Sequence, residues 1–255
     1  MDGPLLLSST SGLEVSPIAL AVLVVALAAV QSLFGVGLLV FGTPSLLLLG
    51  LPFETVLVLL LPCSIVVSAL QIATSGGLKL DPFRRRFLAF TAPALLVATV
   101  VALRWGSPDG IRALVGAMLL LTAAIRLIRP AHQAFGRVVR GHPGPPLVVL
   151  GLLHGASNLG GGILSVIVGT TFPEKTQARR QIAFCYGIMA SLQLTVVLLT
   201  ASPPIDPLLM TVLPVLAGAT FLLVGQRLFV RTGQRAFDFG LTGMITAFGL
   251  LLLTT

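Results

Sequence analysis

The sequence predicts an all-α polytopic membrane protein of two inverted repeats, each a Gly-rich broken or re-entrant helical hairpin followed by three transmembrane helices. Three observations carry that prediction. Apolar residues make up 56% of the 255-residue chain and charged residues 9%, and the mean hydropathy is +1.05. No core of this length can hide so much apolar surface from water, so lipid must be part of the solvent. Eight apolar stretches follow one another, and two of them are too long and too rich in glycine to be plain spans. The basic residues lie between the stretches, in positions that select one topology.

The stretches are residues 17–51, 55–74, 87–104, 110–128, 147–172, 182–201, 207–225 and 237–253. Six have about the 20 residues that one helix needs to cross a ~30 Å hydrocarbon layer. At ~1.5 Å per residue, 17–51 would make a helix of about 52 Å and 147–172 one of about 39 Å. The first is interrupted at Gly35-Val36-Gly37 and Gly42-Thr43-Pro44, the second at Gly155-Ala156-Ser157-Asn158-Leu159-Gly160-Gly161-Gly162. Each therefore reads as a broken helix or hairpin.

Charge decides between crossing and returning. Eight plain crossings would leave eight Lys and Arg on each side, against the positive-inside rule. With two hairpins, one side collects Lys79, Arg84, Arg85, Arg86, Arg126, Arg129, Arg137, Arg140, Lys175, Arg179, Arg180, Arg227, Arg231 and Arg235, and the other keeps Arg104 and Arg112. The division of 14 to 2 makes the basic side cytoplasmic and both termini periplasmic. Each half then has three full crossings, an odd number, so the halves are inverted. The first repeat covers 1–128, a cytoplasmic basic linker 129–146, and the second repeat 147–255. The first apolar run has no basic segment before it and is expected to be retained rather than cleaved.

The halves also match in sequence. Gly35 and Gly42 pair with Gly155 and Gly162, Pro52 with Pro173, and Cys63 and Gln71 with Cys185 and Gln193, at offsets drifting from 120 to 122. Inverted repeats with interrupted helices are a recurrent construction of secondary transporters.

The segments "LFGVGLLVFGTPSLLLLGLP" at 33–52 and "GLLHGASNLGGGILSVIVG" at 151–169, each followed by an apolar run, make the chain resemble the sulfite exporters of the TauE/SafE family from about 17 to 253. The first half has fewer glycines than is usual there. The resemblance implies transport of sulfite or small organosulfonates, commonly outward, without nucleotide hydrolysis, in a bacterial inner membrane.

Candidate site residues follow from the interruptions. A helix that starts inside the membrane offers free N–H groups and the positive end of its dipole to an anion. Gly35, Gly37, Gly160 and Gly161 permit close approach, and Gln31, Ser32, Thr43, Ser45, Ser157, Asn158 and Ser165 are the polar neighbours expected to converge there. The bland alternative is close helix packing through small residues. His154 is the one histidine in an apolar run and the candidate to carry a coupled proton, or else a packed, hydrogen-bonded side chain. Cys63 and Cys185 are a pair lining the site or two small buried residues. Gln71 and Gln193 contact the anion or join helices, and Tyr186 needs a polar partner within its span. Arg84–Arg86 and Arg179–Arg180 read as anchors of cytoplasmic helix ends that also attract anions. Glu54 and Glu174 are candidate helix caps.

No Walker, HExxH or Gly-x-Ser-x-Gly pattern is present, so neither a catalytic site nor a cofactor is expected. Scattered basic residues without an aromatic-lined basic face exclude nucleic acid, despite a net charge of +8. The rival function is a thiol–disulfide electron carrier using Cys63 and Cys185, similar to the CcdA family. The topology is checked with fusions: a reporter after Thr255 is expected to read as periplasmic and one inserted in 129–146 as cytoplasmic, and a cytoplasmic C-terminus overturns the hairpin accounting.

Overall fold

Asp81, Ser107, Glu174 and Asp206 each accept a hydrogen bond from a backbone N–H two or three residues ahead, and prolines occupy the first turn of six helices. These caps and prolines satisfy or remove the orphan donors at helix starts and so fix where each helix begins. The computed structural model describes residues 7–8, 14–76, 79–201, 203, 205–237, 239–240 and 243. A two-residue antiparallel pairing of β1 (Leu7–Ser8) with β2 (Glu14–Val15) precedes α1 (Pro17–Phe34), α2 (Leu38–Leu48), α3 (Phe53–Thr74), α4 (Pro82–Trp105), α5 (Pro108–Leu127), α6 (Arg129–Gly141), α7 (Gly144–Ser157), α8 (Gly160–Thr171), α9 (Lys175–Thr200), α10 (Pro207–Thr220) and α11 (Gln226–Arg231). A π-helical turn, Phe221–Gly225, joins α10 to α11 without a break.

Among the described residues, six helices are long and apolar enough to cross a membrane: Pro17–Phe34, Phe53–Thr74, Pro82–Trp105, Pro108–Ile125, Lys175–Thr200 and Pro207–Arg231. The protein is a multi-pass membrane protein. Of the expected last span, 237–253, most lies outside the described residues.

Both overlong stretches are interrupted where glycine and asparagine allow it. α1 ends at Gly35, whose φ of 80° lies in the left-handed region and whose N–H bonds Gln31 O at 2.8 Å. Gly37 then packs so closely on α1 that a Cβ would sit 2.6 Å from Gln31 N, and five residues on, a Cβ at Gly42 would sit 3.1 Å from Leu27 Cδ1. α2 thus runs back along α1. α7 ends at Asn158, φ 61°, the only non-glycine residue with positive φ among the described residues.

The two ends of α4 show where each stretch starts and finishes. α7 begins against Phe90, and Phe172 at the end of α8 makes an edge-to-face contact with Phe83 at 5.4 Å. Asp81, Arg86, Arg140, Pro143, Thr171 and Phe172 line one cavity of about 400 Å³. Both ends of the α7–α8 stretch therefore lie on the face where α4 starts. By contrast, Leu47 and Leu51–Glu54, at the end of α2, line a cavity of about 390 Å³ with Ala102, Gly106 and Arg112, at the other end of α4. The end of α2 and the ends of the α7–α8 stretch thus lie at opposite ends of α4.

Three expectations need correction. The basic linker 129–146 is largely helix α6, amphipathic rather than unstructured, with Gly136 and Val139 buried and its charges outward. Composition alone had marked it as loop. Next, α4 and α9 start five and seven residues earlier than their apolar stretches, because Asp81 and Glu174 cap charged first turns; Arg84 and Arg179, near those helix starts, are buried at 1% and 2% exposure, while Arg85 and Arg86 are exposed. Finally, only one of the two glutamates caps. Partial burial pushes the Glu174 carboxyl up, but N–H donation from Thr176 and Gln177 and the charge of Lys175 outweigh it and hold the group below its ordinary value. Glu54 sits in the first turn of α3, whose start has no side-chain cap.

α3 and α9 pack on each other at the centre, α3 also on α10 and α9 on α4, with α1 against α10 and α7 against α4. The α4–α7 pair is close because Gly151 and Gly155 face the α4 backbone, the small-residue packing that membranes favour. A Cβ at Gly155 would lie 2.5 Å from Leu95 O, whereas Gly169 faces open space. Gly155→Ala is expected to cost about 1–3 kcal/mol by overpacking, read as a lower melting temperature in detergent, with Gly169→Ala unchanged as control.

Candidate functional site

A helix that ends inside an apolar interior leaves its last carbonyls without donors. Gln71 of α3 answers for α1, donating Nε2 to Gln31 O at 2.8 Å and Ser32 O at 3.3 Å. Gln193 of α9 answers for α7 in the same way, reaching His154 O at 3.4 Å and Gly155 O at 3.3 Å. The two amides have one task, and the geometry sets the correspondence between the breaks: Gly35 matches Asn158, the other left-handed cap, rather than Gly155. What the position needs is a residue that tolerates positive φ, which glycine and asparagine both do. Gly42 and Gly162 keep a packing role, against Leu60 and Thr122 respectively.

At the second break the polar groups are not fully used. His154 Nδ1 accepts from Gly160 N–H at 3.0 Å, which places the imidazole proton on Nε2. That Nε2 and Asn158 Oδ1 are buried without a partner, and the Tyr186 O–H has no acceptor, its oxygen facing the backbone N–H of Val40 in the first turn of α2. The His154 and Tyr186 rings lie 6.0 Å apart between centroids, and Asn158 Nδ2 donates to Thr43 Oγ1 of α2 at 2.9 Å. A Cβ on Gly161 would sit 2.7 Å from Val40 Cγ2 and 2.8 Å from the Tyr186 oxygen. Glycine there lets the first turns of α2 and α8 meet beside the tyrosine hydroxyl. An unmade hydrogen bond on a buried polar group costs about 1–3 kcal/mol. Two such donors beside two helix starts have the chemistry that suits an anion.

The first break is built differently. Gln31 Nε2 lies within hydrogen-bond distance of Ser64 O, Ser64 Oγ and Ser68 Oγ at 3.1–3.3 Å, and Ser32 O receives Arg179 Nη1 at 3.1 Å. Gly35 lies against Ile182 and Arg179. The expected site residues therefore fall into two groups: Thr43, His154, Asn158, Gly160, Gly161, Tyr186 and Gln193 around the second break, and Gln31, Ser32, Gly35, Gly37 and Gln71 around the first. The hydroxyls of Ser45, Ser157 and Ser165 turn back onto carbonyls of their own helices, Phe41 O, Leu153 O and Gly162 O, and Ser157 Oγ also receives the Leu159 N–H. Cys63 and Cys185 are free thiols with no exposure, Cys63 donating to Leu59 O.

Sequence reasoning missed Arg84, Arg179 and Gln181 as interior groups. Arg84 Nε donates to Gln181 Oε1 at 2.8 Å and Gln181 in turn donates to Asp81. The available signal was the acid-led start of each helix, Asp81-Pro82 and Pro173-Glu174. Thr99, whose buried hydroxyl is unpartnered, lies next to Gly155 and had no sequence signal. Among the described residues, no group of three His, Cys, Asp or Glu could hold a metal ion.

No curated protein and no solved structure matches the chain. The family model described as sulfite exporter TauE/SafE matches residues 19–252. That match spans nearly all of the chain and takes in both interrupted stretches, so this multi-pass membrane protein belongs to the sulfite exporter TauE/SafE family, whose members are transporters.

Proposed function

We propose that the protein is a secondary carrier that exports sulfite or a related small sulfur oxyanion or organosulfonate by alternating access. The observation that carries this reading is the pair of buried, unpartnered donors, His154 Nε2–H and the Tyr186 hydroxyl, set where α8 and α2 begin. A small oxyanion there accepts from both and faces the positive ends of two helices. Asn158 Oδ1 and Gln193 Oε1, also unpartnered, give a protonated anion such as hydrogen sulfite an acceptor for its hydroxyl.

The two halves act as inverted repeats that rock about the α3–α9 contact. Support comes from Gln71 and Gln193 making equivalent bonds, and from the end of α2 and the ends of the α7–α8 stretch lying at opposite ends of α4. The face with Arg84–Arg86, Arg140 and Lys175 is cytoplasmic by its charge, in a bacterial inner membrane, with both termini periplasmic. His154 is the group through which a proton is coupled, taken up at Nδ1 when that nitrogen is released from the Gly160 N–H.

Sulfite flux in proteoliposomes tests the reading. One charge-assisted hydrogen bond is worth about 1.5–3 kcal/mol, roughly ten- to a hundredfold in binding. Tyr186→Phe and His154→Ala are each expected to raise the half-saturating sulfite concentration by that factor. Cys63→Ser with Cys185→Ser is expected to keep full flux, which disposes of electron transfer through the thiols. A wild type that moves no sulfur oxyanion sinks the proposal.

A further inference from the structure

The Arg179 guanidinium is 2% exposed, sits within a spanning helix, and forms no ion pair among the described residues. Its partners are neutral: Nη1 donates to Ser32 O at 3.1 Å, Nη2 to Gln226 Oε1 at 2.9 Å, and the Phe229 ring centroid lies 3.5 Å from Cζ. Nε has no partner. Arg84, the other buried arginine, differs in having Asp81 at 3.8 Å. An arginine cannot shed its proton, so a charge buried among neutral groups calls for a counter-ion.

Its surroundings say which ion and from where. Gly35 presses on the Arg179 stem, a Cβ there lying 3.6 Å from Cγ, and α2 starts at Gly37 with no side-chain cap. The uncapped positive end of α2 thus begins two residues beyond Gly35, the glycine that packs on the Arg179 stem. Along α9, Arg179, Ile182, Tyr186 and Gln193 fall on one helical stripe. Arg179 stands seven residues, about 10 Å, closer to the basic face than Tyr186. Ile182, between them, packs on Gly35, where a Cβ would lie 2.9 Å from Ile182 Cγ2.

We infer that Arg179 and the start of α2 form a second anion station, which takes a small oxyanion from the basic face and passes it along α9 to the site at His154 and Tyr186. The inference rests on the carrier reading. Ile182 against Gly35 is the barrier between the stations, and the anion approaches the guanidinium at its free Nε–H edge.

The test uses the full chain in proteoliposomes, with sulfite presented to one face at a time. Arg179→Gln is expected to raise the half-saturating sulfite concentration at the basic face about tenfold, with the opposite face changed less than about twofold, and Arg179→Lys to recover part of the loss. Unchanged half-saturation at the basic face in both variants overturns the station and leaves the carrier reading standing. So does an equal loss at both faces, which would mean a single site. If the variants do not fold, radiolabelled sulfite binding to the wild type decides: two per chain upholds the station and one overturns it. A wild type that neither binds nor moves sulfite overturns the station and the carrier reading together.

Discussion

A backbone interrupted inside an apolar interior must have its freed N–H and C=O groups met by the protein, and most of this fold follows from that constraint. Water is not there to do it. Gln71 and Gln193 supply donors to the carbonyls at the ends of α1 and α7, and both stand on the two helices packed at the centre. The amides therefore do more than join helices. They fix the height of each break against the α3–α9 pair, and with it the position of the helix starts that follow. Close packing completes the arrangement: glycines at 37, 151, 155 and 161 remove the side chains that would hold these elements apart.

The two breaks share this support but differ in what they leave unsatisfied. Four residues before each left-handed cap stands a polar side chain, Gln31 in one half and His154 in the other. Gln31 is engaged by Ser64 and Ser68, so at the first break the side chain that matches His154 is already used. His154 has only Gly160 N–H, and its second nitrogen points at no protein group. Two similarly supported breaks thus carry different chemistry. The second half supplies the imidazole and the phenol, and the first supplies Thr43, which orients Asn158, and the start of α2.

The coarse plan was legible because it depends on quantities that sequence states directly. Stretch lengths and the glycine interruptions already give helices and breaks. Thr43, His154, Asn158 and Tyr186 were also among the residues expected to act, since each is a polar group in an apolar run. What could not be read was pairing. Whether Ser45 or Thr43 faces the second break depends on a rotation about α2 of 200°, which its nearly uniform apolar composition does not encode. Arg84 and Arg179 were hidden for a different reason. Hydropathy places charged residues in loops, and only the capping acids before them extend the helices far enough to carry them inside.

The unpaired donors bear on how such a carrier closes. With no exposure at His154, Asn158 or Tyr186, and the cavities described opening at the rims, this is a conformation in which the second break is shut away from both faces. In the closed form these groups have no protein partner, so without a substrate they would have lost water and gained nothing. Opening either side rehydrates them, so the empty carrier is driven away from closure. An anion reverses the sign by accepting the same hydrogen bonds, and its differential affinity for the closed form sets how far the balance moves. On the proposed carrier reading, leaving His154 Nε2–H and the Tyr186 O–H without acceptors couples passage to occupancy: the cost that disfavours closure without substrate is what the substrate relieves.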